Sequence, residues 1–102
     1  MIRIGFTESA RGIETMKIKG HAYAGDYGKD LVCCAVSSIA ISGINAIDEL
    51  FPGKCELECA DNRIGLRVIE NSDDLQVALK MLQVQLRCMA ETDPKHVSLD
   101  IK

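Results

Sequence analysis

The sequence predicts a two-layer α/β (α+β) fold with the element order ββαββαβ, in which two helices cover one sheet. Three observations predict this class. Five short segments alternate apolar and polar residues, as half-buried strands do. Two longer segments repeat apolar residues with the helical period. The chain has 102 residues, which is the size of one domain, so we assign residues 1–102 to a single domain.

The first two strands are predicted to form a hairpin. Apolar residues occupy alternate positions at 2–6 and again at 16–18, with a polar stretch at 7–12 between them. We therefore expect a connection that is longer than a tight turn. Residues 20–30 contain three glycines and have no periodicity, so they are predicted to be a loop.

The first helix is predicted to begin at Leu31, with Asp30 as its N-cap, and to end at Pro52-Gly53. Residues 31–47 carry no charge, but they are few for a bilayer span and include several polar side chains. We therefore expect an amphipathic helix on the sheet and no membrane partner. Its predicted core stripe is Val32, Val36, Ile39, Ala40, Gly43, Ile47 and Leu50.

A second hairpin is predicted after this helix. Cys55, Leu57 and Cys59 alternate with charged residues, and a turn at 61–62 leads to a second alternating segment at 64–68. Cys55 and Cys59 are about 13 Å apart on a strand, too far to share a zinc ion or a disulfide. Both are predicted to be core residues.

The second helix is predicted to begin after Ser72 as its N-cap. It carries two apolar stripes on roughly opposite sides, so it needs a second apolar neighbour, which is either the first helix or another copy of the chain. The first stripe is Leu75, Leu79, Leu82, Leu86 and Met89, and the second is Val77, Met81, Val84 and Cys88. A last strand is predicted where Val97, Leu99 and Ile101 alternate.

Charge and cysteine content narrow the function classes. The chain has 12 basic and 15 acidic residues and a net charge of -3, so it lacks the basic excess typical of nucleic-acid-binding proteins. We expect no direct nucleic-acid partner. Its five cysteines are an odd number, and no long apolar run opens the chain, which favours free thiols in the cytoplasm.

Cys33 and Cys34 are the candidate nucleophiles. In the predicted first turn of a helix, unpaired N–H groups and the helix dipole favour a thiolate and can bind the oxyanion of a tetrahedral intermediate. His21 lies twelve residues before Cys33, at the end of a predicted strand, and could be the base. Alternatively, the thiols are only small helix residues and His21 only ends its strand.

The segments Gly20-His21-Ala22 and Gly28-Lys29-Asp30-Leu31-Val32-Cys33-Cys34-Ala35-Val36-Ser37 resemble the signature of the ribosomal-processing cysteine protease family Prp. That signature is GHA, a short loop with glycine, then D-[IL]-V-C-A-x-V-S. The resemblance implies that His21 and Cys33 are catalytic and that Asp30 and Ser37 lie beside them. Cys34 departs from the signature, where the family usually has a small residue such as Ala.

The resemblance also implies a substrate. Prp enzymes remove the N-terminal extension of large ribosomal subunit protein twenty-seven, cleaving after an aromatic residue. The resemblance implies a homodimer, in agreement with the second apolar stripe, and implies neither a metal nor an organic cofactor. The loop that contains Tyr23, Gly25, Tyr27 and Gly28 is expected to be a lid that closes over bound peptide.

Alternatives remain for the supporting residues and for the function. Asp30 either caps the helix or orients His21, and Ser37 either bonds the Cys33 carbonyl or lines the site. A rival function is a non-catalytic ribosome-assembly or peptide-binding module. A redox protein with a Cys33–Cys34 pair is disfavoured, because neighbouring helix residues point about 100° apart.

Overall fold

The computed structural model of the chain describes residues 1–20, 27–60 and 63–102, and for residues 27–30 it describes the backbone alone. The predicted fold class and element order are confirmed. The elements are β1 (Ile2–Ser9), β2 (Gly12–Lys19), α1 (Tyr27–Leu50), β3 (Cys55–Ala60), β4 (Arg63–Val68), α2 (Asp73–Thr92) and β5 (Val97–Ile101).

The five strands form one mixed sheet in the order β3-β4-β2-β1-β5. All neighbouring strands are antiparallel except β1 and β5, which are parallel with Ile2 opposite Val97. Alternate strand residues join residues of both helices in one hydrophobic cluster. The helices therefore cover one face of the sheet, and the other face is open.

The first hairpin is tighter than predicted. Only Ala10 and Arg11 separate β1 from β2, and the pairing shifts by one residue between Thr7 and Glu8. Most polar residues of the expected loop belong to β1 and β2, because the backbone hydrogen bonds between these strands continue to Ser9 and Gly12. Such bonds do not require apolar side chains. Gly12 closes the hairpin with a φ of 111°, a backbone conformation that glycine adopts readily.

The predicted start of α1 is wrong. The helix begins at Tyr27, so Asp30 is its fourth residue and cannot be its N-cap. Tyr27 and Gly28, which we expected in the lid loop, are the first two residues of the helix. The first turn of a helix needs no apolar periodicity, because it is not required to face the core, so the pattern could not reveal it.

The core stripe of α1 is partly as predicted. Val36, Ala40 and Ile47 are buried, but so is Ile44, which the pattern missed, and Leu50 is 66% exposed. Leu50 lies at the end of the helix, where the sheet no longer covers it. Gly43 allows α2 to come close, because a Cβ atom at this position would lie 2.6 Å from Cδ1 of Leu82.

By length and composition alone, α1 could cross a membrane. Its window Leu31–Leu50 has a mean hydropathy of 1.7. In the structure one side of this window packs into the hydrophobic cluster on the sheet. An apolar helix that covers a sheet passes the same test of composition, so the hydropathy does not distinguish the two settings.

The second helix begins as predicted. Ser72 is its N-cap, and the backbone N–H of Leu75 donates to Ser72 Oγ at 3.2 Å. Leucines of the first stripe are buried against the sheet and α1. The second stripe is largely uncovered within one chain, because Val77 is 73% and Met81 64% exposed. Neither the sheet nor α1 therefore covers the second stripe of α2.

Candidate active site

A cleft of about 90 Å³ lies where α1 crosses one end of the sheet. All the strand residues in its walls come from the same end of the sheet, at the starts of β1 and β4 and the ends of β2 and β3. The walls are formed by Ile2, Ile18, Gly20, Cys33, Val36, Ser37, Ile41, Cys59, Ala60, Arg63 and Ile64. The cleft is thus a largely apolar recess whose polar residues are two cysteines, Ser37 and Arg63.

The two adjacent thiols have different surroundings. Cys33 is partly buried, packs against the hydrophobic cluster and lines the cleft. Cys34 is exposed and is not part of the cleft wall. This agrees with the helical wheel, on which Cys33 borders the core stripe and Cys34 lies further away. Of the two adjacent thiols, Cys33 is therefore the one that lines the cleft.

Four residues of α1 line the cleft: Cys33, Val36, Ser37 and Ile41. Cys33, Ser37 and Ile41 are spaced four residues apart, so they lie on one face of the helix. Of the two alternatives for Ser37, the structure supports a place in the wall of the site. Its hydroxyl is the polar group of α1 next to Cys33 along this wall.

His21, Tyr23 and Gly25 lie outside the described residues. Gly20, the residue before His21 in the chain, lines the cleft together with Cys33. Gly20 has a φ of 89°, and a Cβ atom there would lie 2.5 Å from the carbonyl oxygen of Met1. A residue other than glycine would therefore displace the chain at the point where it leads to His21.

The prediction that Cys33 lies in the first turn of the helix is also wrong. It is the seventh residue of α1, whereas only the first four N–H groups of an α-helix lack a partner within the helix. The N–H of a seventh residue bonds to the carbonyl of the third. The backbone N–H of Cys33 is thus not a free oxyanion donor in this conformation.

Cys59 is a residue of the cleft that sequence reasoning missed. The alternation correctly placed it on the helix side of β3, but the prediction that it is a core residue is wrong, because it is exposed. The reason is topological, since β3 is an edge strand and α1 does not cover its end. Cys55, earlier on β3, is partly buried, and this burial raises the pKa of its thiol.

The polar groups outside the cleft are candidates for a metal site. Among the described residues, no three His, Cys, Asp or Glu side chains are grouped as metal ligands. His96 Nδ1 bonds to Asp93 Oδ1 at 2.9 Å, and neither residue lines the cleft. His21 is therefore the histidine whose place in the chain is next to the cleft.

A recessed cysteine thiol beside the chain that leads to a histidine is typical of cysteine peptidases. Comparison with known families gives the same class. The family model for cysteine protease Prp matches residues 1–98, so the chain belongs to this family.

Named relatives support this assignment. The chain is 33% identical over 86 residues to the ribosomal processing cysteine protease Prp of Mycoplasma genitalium, covering 80% of this chain and 82% of the relative. It is 28% identical to the protein of the same name from Staphylococcus aureus, with both chains covered completely. The chain is therefore a cysteine peptidase of the ribosomal processing type.

Solved structures show the same fold. The Prp protease of S. aureus with a covalently linked product peptide has a TM-score of 0.88 and 26% identity, with both chains covered completely. The same protease with a substrate peptide also has a TM-score of 0.88, at 25% identity and with the same coverage. The predicted fold class, family and enzyme class are thus confirmed.

Proposed function

We propose that this peptidase removes the N-terminal extension of large ribosomal subunit protein twenty-seven, cleaving after an aromatic residue. Membership of the Prp family and the names of its relatives support a ribosomal protein precursor as the substrate. The observation that carries the proposal is the position of Cys33, whose side chain lines an apolar cleft at the end of the sheet.

In the proposed mechanism, His21 takes the thiol proton of Cys33, and Sγ attacks the carbonyl carbon of the scissile bond. The C–N bond breaks, a C–S bond forms, and His21 gives its proton to the leaving amine. A water molecule then attacks the thioester and gives a proton to His21. The C–S bond breaks, the new carboxylate leaves, and Cys33 regains its proton.

Asp30 and Ser37 support this pair. Because Asp30 lies inside α1 and is not its N-cap, we favour the role in which it orients His21. Ser37 shares the cleft wall with Cys33, which supports a role for its hydroxyl in hydrogen bonding to bound peptide. The proposed lid is restricted to residues 21–26, which include Tyr23 and Gly25 and lie outside the described residues.

The active form is proposed to be a cytoplasmic homodimer. Val77 and Met81 expose most of their apolar surface, which is costly for a helix that faces water. Met81 lines a groove of about 320 Å³ between α1 and α2. A second copy that packs its own α2 against this surface would cover both side chains.

The proposal is tested with a synthetic peptide that spans the extension and the first residues of the mature ribosomal protein. We expect two fragments by mass spectrometry, separated after the aromatic residue. A matched peptide with Asp in place of that aromatic residue should remain intact. If the first peptide binds but remains intact, the non-catalytic binding module is the correct function.

A further inference from the structure

The sheet face opposite the helices carries many charged residues that have no role in the proposed protease activity. We call it the open face. The strand registers place fourteen side chains or glycines on it, and Lys102, which follows β5 and lines a hollow on this side, is the fifteenth member. Its members are Arg3, Gly5, Thr7, Thr15, Lys17, Lys19, Glu56, Glu58, Ala60, Arg63, Gly65, Arg67, Ser98, Asp100 and Lys102.

Charge is distributed very unevenly between this face and the rest of the chain. The open face has six basic and three acidic residues, so it carries +3, whereas the whole chain carries -3. The rest of the chain therefore carries -6. The net charge that argued against a nucleic-acid partner is an average over two surfaces of opposite sign.

Two of the three acids on the open face are already paired. Glu58 Oε1 bonds to Arg63 Nε at 2.9 Å, and Glu56 forms an ion pair with Arg67. By contrast, four basic residues make no ion pair with any residue that the structure describes: Arg3, Lys17, Lys19 and Lys102. These four cations are available for an external anion.

The open face also has a shape that fits an elongated anion. Lys17 lies between Gly65 and Gly5 in one row across the sheet, so it forms a ridge with a hollow on each side. The hollow over Gly65 has a volume of about 570 Å³ and the one over Gly5 about 400 Å³. Lys17 and Lys19 are about 6.6 Å apart along β2, so cations repeat along the ridge.

We propose that the open face binds the phosphate backbone of an RNA duplex. The face has no aromatic side chain on which bases could stack, so its contacts are with phosphate groups. The wide, shallow minor groove of A-form RNA can lie against an open sheet face, whereas the major groove of DNA is entered by a helix or a two-stranded ribbon.

Other occupants fit the open face less well. A second copy of the chain would bring two faces of charge +3 together, which is repulsive. A lipid surface would favour apolar side chains that insert between the headgroups, and the open face has none. The cleft proposed for peptide cleavage lies at one end of the sheet and shares only Ala60 and Arg63 with the open face, so none of the four available cations belongs to it.

The test is the binding of a fluorescently labelled RNA duplex of about 16 base pairs, measured by anisotropy at several salt concentrations. With four phosphate contacts, the slope of log K against log salt should be about -3 to -4. The triple variant Arg3→Glu, Lys17→Glu, Lys19→Glu should weaken binding by about tenfold or more and reduce the slope by about three.

The matched control is Lys80→Glu, Arg87→Glu, Lys95→Glu, which changes the net charge equally but leaves the open face intact. It should bind RNA much more tightly than the first triple variant. Both variants should keep the wild-type circular dichroism spectrum, which shows that they are folded. The first triple variant should also cleave the precursor peptide at the wild-type rate, which separates this proposal from the proposed protease activity. Equal losses in the two variants, equal affinity for a DNA duplex or for poly-glutamate, or no RNA binding by the wild type at 0.1 M salt would each overturn the proposal.

Discussion

Cys33 and Cys59 line the same cleft from different elements, Cys33 from the helix α1 and Cys59 from the edge strand β3. The two positions are 26 residues apart in the sequence, and no local pattern connects them. One thiol is partly buried and the other is exposed at the mouth of the cleft. The cleft thus brings together one thiol from the helix and one from the sheet edge, which differ in their exposure.

Replacing Cys33 by Ala should reduce cleavage of the precursor peptide by about 10⁴-fold or more, because the nucleophile is lost. Cys34→Ala restores the usual family residue at an exposed position and should keep most of the activity. A single-turnover assay compares both variants on one peptide. An inactive Cys34→Ala with an active Cys33→Ala would show that the nucleophile has been assigned to the wrong residue.

Cys59→Trp should obstruct the cleft, because an indole ring would occupy much of its volume of about 90 Å³. We expect kcat/KM to fall by about tenfold or more, which corresponds to about 1.4 kcal/mol of transition-state stabilisation. Cys59→Ala is the matched control, since it removes the thiol without filling the cleft, and it should remain active. Loss of activity in Cys59→Ala would instead assign a chemical role to this thiol.

The dimer is tested by introducing charge on the second stripe of α2. Val77→Glu and Met81→Glu should shift the light-scattering mass from dimer to monomer, because a carboxylate would lose its hydration in the interface. Ile69→Glu is a matched change at another exposed apolar residue, 53% exposed and outside the stripe, and should leave the mass unchanged. Wild-type protein that is monomeric at all concentrations would disprove the dimer.

Gln76 on α2 should stabilise the first hairpin. The Ile13 backbone N–H donates to Gln76 Oε1 at 2.7 Å, and Gln76 Nε2 donates to the Ile13 carbonyl at 2.9 Å. Gln76→Ala leaves both partly buried backbone groups without this partner and should lower the free energy of unfolding by about 1–3 kcal/mol. Urea denaturation measures this loss, and Gln85→Ala, an exposed change on the same helix, should cost much less.

Cys55 should react slowly with iodoacetamide at neutral pH. Burial raises the pKa of its thiol above the ordinary value of 9.0, so its thiolate forms only in more alkaline solution. In the folded protein, its rate should therefore continue to rise above pH 9, and mass mapping should show Cys88, which is exposed, labelled first. Faster labelling of Cys55 than of Cys88 at pH 7.5 would contradict the burial of this thiol.

Local patterns predicted the elements that depend on local interactions. Ile64, Leu66 and Val68 alternate with other residues because one face of their strand is buried. Ser72 predicted the start of α2 because its own side chain caps that helix. The start of α1 at Tyr27 could not be predicted in this way, because its first turn carries neither an apolar period nor a cap that the pattern recognised.

Relations between distant segments were beyond the local pattern. The exposure of Cys59 depends on β3 being an edge strand, which follows from the strand order and not from its own alternation. The motif around Cys33 identified the candidate nucleophile, yet its position beyond the first turn depends on where the chain enters α1. The charge of the open face likewise appears only when five strands are aligned.

The parallel pairing of β1 with β5 has a consequence for the order in which the molecule assembles. Ile2 and Val97 lie side by side although 95 residues separate them, and Ile2 is a wall residue of the cleft. Each hairpin can form from neighbouring residues, but this pairing must wait until nearly all of the chain is present, and closing so large a loop is slow. Until then, the outer edge of β1 is unpaired and open to the strands of other chains. The addition of β5 thus moves the edge of the sheet from the eight-residue strand β1 to the shorter strand β5.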